Sequence, residues 1–320
     1  MDTFKIIIIT MQLDPSYFLT TTFLVWFASL TYLLLAIFSV MRFNKHHQQA
    51  IPEAEFAPPV TILKPIYGLD PEMAKNLRSF CKQDYPNYQI VFGIQDENDP
   101  AIFTVKKIIR EFKDLDISYI IDPTLYGTNH KISNLINTYP CAKHDYLLIA
   151  DSDMRVSNNY LKSIMTAFAD DEVGAITCLY SGSARGKIAS SLNAMFINEW
   201  FLPSVLISKL LKPIDYCLGA TMVVRKDLLE KIGGFKVLSN HLADDYMLGN
   251  LIADLGYKIH LSNYIVENVV EEASIKDLFL HELRWARTLR RVEPVGYAFT
   301  FFTDTFVISS LLAVMSYITT

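Results

Sequence analysis

The chain of 320 residues is 51% hydrophobic and 20% charged, with a formal net charge of −5 and a mean hydropathy of +0.22. That length accommodates one large domain plus apolar anchors, and the acidic balance excludes the broad basic face of a nucleic-acid-binding domain. Four cysteines, Cys81, Cys141, Cys178 and Cys217, stand far apart without a CxxC pair, which excludes a disulfide frame or a cysteine zinc site and fits reduced thiols.

The apolar excess lies at the two ends. After a short N-terminal segment (1–16), the run 17–41 (YFLTTTFLVWFASLTYLLLAIFSVM) exceeds the roughly 20 residues that cross a bilayer as a helix. No small-residue cleavage site follows it, so it reads as an uncleaved anchor rather than a signal peptide. A second run, 297–318, reads as a further transmembrane helix, with Asp304 near enough to its start to sit at the interface. Arg42 and Lys45 follow the first span, and Arg284, Arg287, Arg290 and Arg291 precede the second. The positive-inside rule then places the intervening domain in the cytoplasm of a multi-pass membrane protein.

A polar linker, 42–58, leads into "PVTILKPIYG", a buried strand closed by Gly68. "PEMAKNLRSFCKQ" has helical apolar spacing, "YQIVFGIQDENDP" is a strand ending in an acidic loop, and "AIFTVKKIIREF" is a helix. "ISYIID" (strand), "KISNLINTY" (helix) and "DYLLIA" (strand) follow, the last delivering Asp151. Such alternation predicts an α/β domain over 59–294 with an open, mainly parallel sheet whose ligands bind at the carboxyl ends of the strands. Farther on, "VGAITCLY" and "CLGATMVVRKDLL" read as strands and "LADDYMLGNLIADLG" as a helix. Between them, 192–211 is apolar, aromatic and interrupted by Pro203. It reads equally as an interfacial or re-entrant helix and as a core helix pair.

In "LLIADSDMRV", Asp151 and Asp153 at a strand end can both reach one hard cation, Mg²⁺ or Mn²⁺. Alone, Asp-x-Asp is more often a solvated turn. Asp96, Asp244 and Asp245 add further carboxylates beside apolar elements. Two such charges about 4 Å apart repel by roughly 4 kcal/mol at an effective dielectric of about 20, a conflict that a divalent cation would relieve. Asp245 could equally cap its own helix. Arg284 and Trp285 in "HELRWARTLRR" offer a cation beside an aromatic face, suited to a diphosphate.

Taken in order, Asp96, the D-S-D of Asp151 to Asp153, the D-D-Y of Asp244 to Tyr246 and the H-x-x-R-W of His281 to Trp285 resemble the D, D, D, (Q/R)xxRW signature of inverting family 2 and family 21 glycosyltransferases. The ceramide glucosyltransferase family, with its bacterial relatives that glycosylate hopanoids, is the nearest likeness, and "NLRSFCKQDYP", "GTNHKISNL", "INEWFLPS" and "GATMVVRKDLL" also resemble it. The resemblance spans about Pro59 to Pro294. It implies a GT-A type nucleotide-sugar-binding domain at the cytoplasmic face of a bacterial inner membrane. It also implies transfer of one glucose or N-acetylglucosamine from a UDP-sugar to a lipid hydroxyl such as that of ceramide or a hopanoid. Carried over by position, Asp96 would contact the nucleoside, Asp151 and Asp153 would hold the diphosphate through Mg²⁺ or Mn²⁺, and Lys131 would add a phosphate contact. Asp245 would be the general base with Asp244 its neighbour, and His281, Arg284 and Trp285 would flank the diphosphate and acceptor. His281 departs from the usual Gln or Arg, which makes its donor role depend on protonation or tautomer. The rival expectations are a processive polysaccharide synthase and an inactive scaffold on the same fold.

Overall fold

The computed structural model describes residues 15–47, 56–70, 72–300, 310–312 and 314–315. In chain order the elements are α1 (Pro15–His47), β1 (Val60–Ile66), α2 (Met73–Cys81), β2 (Tyr88–Ile94), α3 (Ala101–Glu111), β3 (Asp116–Ile121), α4 (His130–Thr138), β4 (Tyr146–Ala150) and β5 (Met154–Arg155). They continue as α5 (Tyr160–Met165), β6 (Val173–Ala184), α6 (Ile188–Met195), a π-helical stretch (Phe196–Phe201), α7 (Leu202–Leu211), β7 (Thr221–Arg225) and α8 (Lys226–Lys231). Last come α9 (Asp244–Asp254), β8 (Lys258–Val270), α10 (Ile275–Val292) and α11 (Pro294–Phe299).

Among the described residues the strands form one sheet in the order β3-β2-β1-β4-β7-β6-β8-β5. Its first half is parallel, with Leu63 of β1 between Val91 of β2 and Ile149 of β4. Both faces of these strands are covered, which is why they read as near-continuous apolar runs rather than alternating ones; Ile62, Leu63, Val91, Leu148 and Ile149 are all fully buried. Helices α2, α3 and α4 supply that cover through Leu77, Phe80, Val105, Ile108, Ile132 and Leu135.

The sheet is mixed, because β7 runs antiparallel to both β4 and β6. This reversal has a functional consequence: the start of β7 lies beside the end of β4, and Asp151 donates its N–H to the Ala220 carbonyl at 3.2 Å. The segment 217–220 is thereby brought to the carboxyl edge of the parallel strands. β8, which sequence periodicity does not reveal because His260, Ser262, Asn263, Glu267 and Asn268 interrupt it, pairs in parallel with β6 across a register shift.

The apolar stretch 192–211 belongs to one nearly continuous helical rod, α6 through the π-helical stretch to α7. Its inner side is fastened to β6: Asn198 accepts from the Gly182 N–H at 2.8 Å and donates to its carbonyl at 3.0 Å. Gly182 admits this approach, since a Cβ there would stand 2.7 Å from the Ala194 Cα. Its other end meets α1, where the Tyr32 and Ser204 hydroxyls are 2.8 Å apart. Helix α1 begins and ends outside the apolar run that announced it and is 33 residues long, about 50 Å at 1.5 Å per residue. The second expected span, 297–318, lies mostly outside the described residues.

Candidate active site

At the carboxyl ends of β1, β2 and β4 opens a cleft of about 390 Å³ whose lining includes Tyr67, Asp70, Gln95, Lys131, Asp151 and Asp153. The D-S-D turn is held by its backbone. Besides the bond to Ala220, the Asp151 carbonyl accepts from Lys64 Nζ at 2.9 Å and the Asp153 carbonyl from the Val269 N–H at 3.0 Å. Between them, Ser152 Oγ donates to Asp70 Oδ2. Both aspartate side chains therefore remain available to the cleft, and Lys131 Nζ meets Asp151 Oδ1 at 2.6 Å.

Lys131 comes from the first turn of α4, and the reason is local. Asn129 caps this helix, its Oδ1 accepting from the Ile132 N–H at 3.0 Å, as an N-cap asparagine does. The same side chain donates to the His241 carbonyl at 2.8 Å and to Asp244 Oδ1 at 3.0 Å. Gly127 reinforces the junction, because a Cβ there would stand 2.4 Å from the Ser239 carbonyl oxygen. Segments 127–131 and 239–245 are thus laced into one unit.

Asp244 and Asp245 form the first turn of α9, where the partial positive charge of the helix N-terminus favours carboxylates. Helix α9 lies directly on the backbone of 216–217: a Cβ at Gly249 would meet the Cys217 nitrogen and Tyr216 Cα at 2.4 Å. Stacking of Tyr216 on Tyr246 at 5.4 Å completes the contact. Asp245 Oδ1 accepts from the Tyr246 N–H at 2.8 Å. Its Oδ2 faces Gly219, where a Cβ would stand 2.9 Å away. Asp244 is buried, and among the described residues its Oδ2 has no hydrogen-bond partner.

The charges are arranged so that protonation is finely balanced. Burial, with Asp151 and Asp70 adding negative charge, pushes the Asp153 carboxyl up to about 7. Burial and the adjacent Asp244 carboxylate push Asp245 up to about 6. Burial raises Asp70 as well, against the hydrogen bond from Ser152. Burial pulls the fully buried Lys64 down to about 7, opposed by Asp151 and Asp153. For Lys131 burial has the same downward effect, but Asp151, Asp244 and Asp245 outweigh it and hold the ammonium charged.

A cation fits this setting. Among the described residues no three His, Cys, Asp or Glu side chains converge as a closed metal site. Mg²⁺ and similar hard ions, however, need only one or two carboxylates when substrate phosphates and water supply the remaining oxygens. Asp151 and Asp153, one of them pushed toward protonation by its acidic neighbours, are such a pair.

The other sequence candidates are placed less centrally. Asp96 lies two residues past β2 in an exposed turn in which its Oδ1 accepts from the Asn98 N–H at 2.8 Å, while its neighbour Gln95 lines the cleft. His281 Nδ1 lies 2.7 Å from Glu272 Oε1, which also accepts from Asn193 at 2.8 Å. Trp285 packs edge-on against Phe201 at 5.4 Å, and Arg284 is exposed on α10. The structure thus gathers Lys131, Asp151, Asp153, Asp244 and Asp245, and leaves His281, Arg284 and Trp285 on a separate helix. Sequence reasoning did not single out Lys64, Asp70 or Gly219. Only the lysine in "TILKPI", a charge in a run otherwise buried, carried a signal.

The sequence profile of glycosyl transferase family 21 matches residues 21–320. The chain belongs to that family. Among curated relatives, ceramide glucosyltransferase 3 of Caenorhabditis elegans is 24% identical over 293 residues, covering 86% of this chain and 60% of its own. A ceramide glucosyltransferase of Komagataella phaffii is 34% identical over 135 residues, covering 41% of this chain and 26% of its own. The family 21 chain therefore spans about 60% of the length of the first of these relatives. A mannosyltransferase of Pyrobaculum calidifontis, solved with GDP-Man and Mn²⁺, superposes with a TM-score of 0.64 at 16% identity, over 93% of this chain and 91% of that one. GalNAc-T7, solved with UDP, GalNAc and Mn²⁺, superposes with a TM-score of 0.51 at 11% identity, over 67% of this chain and 44% of that one. These likenesses establish the GT-A type fold.

Proposed function

We propose that this family 21 protein is a membrane-bound inverting glycosyltransferase that moves one hexose, glucose or N-acetylglucosamine, from a UDP-sugar to the hydroxyl of a lipid of the ceramide or hopanoid kind. The observation that carries the reading is the pairing of two sets of groups through Lys131. Asp151 and Asp153 stand on the cleft side, and Asp244 and Asp245 open α9; Lys131 meets Asp151 at 2.6 Å and feels the charges of Asp244 and Asp245. An inverting transfer needs a base on one side of the anomeric carbon and charge stabilisation for the leaving diphosphate on the other.

In this reading Asp245 removes the proton of the acceptor hydroxyl as that oxygen bonds to the anomeric carbon and the bond to the diphosphate breaks. Lys131 neutralises part of the charge on the departing diphosphate. A divalent ion held by Asp151 and Asp153 would supply further positive charge to that leaving group. Asn129 keeps Lys131 and Asp244 in fixed relation, and Gly219 leaves room for the Asp245 carboxylate.

Membrane attachment is supported by α1, where 23–45 has a mean hydropathy of 2.2 and is largely uncovered by protein. Arg42 and Lys45 at its end support a cytoplasmic catalytic domain, here at a bacterial inner membrane. The test is UDP release by detergent-solubilised protein offered UDP-glucose or UDP-N-acetylglucosamine against ceramide, a hopanoid extract or no lipid, with and without Mn²⁺ or Mg²⁺. Metal-dependent release that requires one lipid and vanishes in Asp245→Asn supports the reading. UDP binding without lipid-dependent turnover rejects the acceptor class, and failure to bind UDP favours an inactive scaffold.

A further inference from the structure

Asn134 and Gln95 both line the cleft, and the reaction described above uses neither. Asn134, on α4, is 3% exposed. Among the described residues its Oδ1 and the Gln95 Nε2 are buried without a hydrogen-bond partner. A buried polar atom left unmet weakens the fold, so each calls for a reason. The asparagine amide cannot be turned round, because its Nδ2 donates to the Gly93 carbonyl at 2.9 Å and a carbonyl only accepts. Gly93 makes room for the oxygen: a Cβ there would stand 1.8 Å from Oδ1. Gly93 lies near the end of β2 and Gln95 directly follows that strand. Two residues apart on an extended chain, they face the same side.

One unmet atom is an acceptor, the other a donor, and they do not bond each other. A group that satisfies both must offer the converse, an N–H next to a C=O. Their place narrows the choice. Lys131, one turn earlier on α4, reaches Asp151 just past the end of β4, whereas Asn134 is tied to β2. Only β1 separates β2 from β4, so the two contacts stand about 10 Å apart across the sheet, at roughly 4.8 Å per strand. A nucleotide whose diphosphate meets Lys131 spans such a gap through its ribose and brings its base to β2. Uracil carries an N3–H between two carbonyls. Cytosine has a bare nitrogen at N3, and adenine a bare nitrogen at N1 beside an amino group.

We propose that Asn134 and Gln95 read the base of the donor nucleotide, Asn134 Oδ1 accepting from uracil N3–H and Gln95 Nε2 donating to a neighbouring carbonyl oxygen. This deepens the UDP-sugar reading and rests on it. The base contact then falls to these two side chains rather than to Asp96, whose Oδ1 bonds the Asn98 N–H in an exposed turn.

The experiment measures calorimetric binding of UDP, N3-methyl-UDP, CDP, GDP and inorganic pyrophosphate to full-length protein in detergent with Mn²⁺, for wild type and Gln95→Leu. On wild type, N3-methyl-UDP and CDP should each bind at least about tenfold more weakly than UDP, as when a buried polar group is left unpaired. Gln95→Leu should lose about tenfold in UDP affinity and nothing for pyrophosphate, which has no base. Unchanged UDP affinity in Gln95→Leu, equal loss of UDP and pyrophosphate, or N3-methyl-UDP and CDP binding as UDP does would each overturn the proposal. If Gln95→Leu does not fold, the analogue series on wild type decides alone. Wild type that prefers GDP, or binds no nucleoside diphosphate, rejects the UDP-sugar reading itself and this proposal with it.

Discussion

Asp245 is the residue at which function and stability conflict most directly. Its folded carboxyl titrates near 6 against an ordinary 3.8, so the folded state binds the proton more tightly than the unfolded one. The stability this confers is complete below about pH 4 and lost as pH rises through 6. At neutral pH the wild type therefore carries a charge its surroundings disfavour, by roughly 3 kcal/mol at about 1.4 kcal/mol per pH unit. Asp245→Asn should abolish turnover and yet raise the melting temperature by a few degrees at pH 7.5, with the gain shrinking toward pH 4 in a thermal-shift series. In the wild type, turnover should fall on the acid side with a midpoint near pH 6, because the base must be unprotonated. A flat rate between pH 5 and 8 would remove Asp245 from that role.

Lys64 is the complementary case. Its ammonium lies over the Phe80 ring at 3.6 Å and holds the Asp151 carbonyl, with Asp70, Asp151 and Asp153 all acting on it. Replacing it with Met leaves those acids with one fewer cation beside them, while Lys131 still meets Asp151. Lys64→Met should bind Mn²⁺ several-fold more tightly by calorimetry while turning over more slowly; weaker Mn²⁺ binding would mean that the lysine mainly holds the D-S-D turn in shape. Sequence could point to Asp151, Asp153, Asp244 and Asp245, because each breaks the end of an apolar run. It could not point to Lys64 in the same way, since a polar residue within a strand ordinarily faces solvent and its partners are 16 and 87 positions away.

Among the elements, α9 shows how a helix can aim a carboxylate. It presents Asp244 and Asp245 at its first turn and is seated by Gly249 on main-chain atoms, with no flexible side chain that could yield. Gly249→Ala should therefore destabilise the fold by about 1–3 kcal/mol, as overpacking does, measured by chemical denaturation. Gly219→Ala meets only the tip of Asp245, so it should leave stability nearly intact and reduce kcat without changing donor KM. The α/β alternation was legible because period and length separate helices from buried strands in the first half of the sheet. The direction of β7 was not, since strand direction depends on where the preceding rod of α6 and α7 returns the chain. β8 escaped because its polar residues break the pattern, while its thirteen residues are held by pairing with β6.

At the scale of the molecule, the two long apolar helices among the described residues behave differently. Residues 23–45 form a helix with little protein cover, whereas the rod from Ile188 to Leu211 is fastened to β6 along one side. The chain as a whole should remain with membranes after an alkaline carbonate wash, and recovery in the supernatant would assign α1 to contact with protein instead. Away from the cleft, Glu72 binds Arg155 at 2.7 Å and Arg185 at 3.1 Å, and Arg185 binds Glu267 at 3.0 Å. These pairs join the turn before α2 to β5, β6 and β8, so the loop carrying Tyr67 and Asp70 is anchored at its far end.

The lacing of 127–131 to 239–245 sets a rule for any exchange of parts between relatives. The Thr128 N–H donates to Asn240 Oδ1 at 3.1 Å, Gly127 leans on Ser239, and Asn129 on His241 and Asp244. Drift in one segment must be answered in the other, so positions 127–129 and 239–244 should covary across aligned sequences. A chimera that transplants one segment alone would carry a mismatched hinge, and only the two grafted together would preserve the spacing between Lys131 and Asp245.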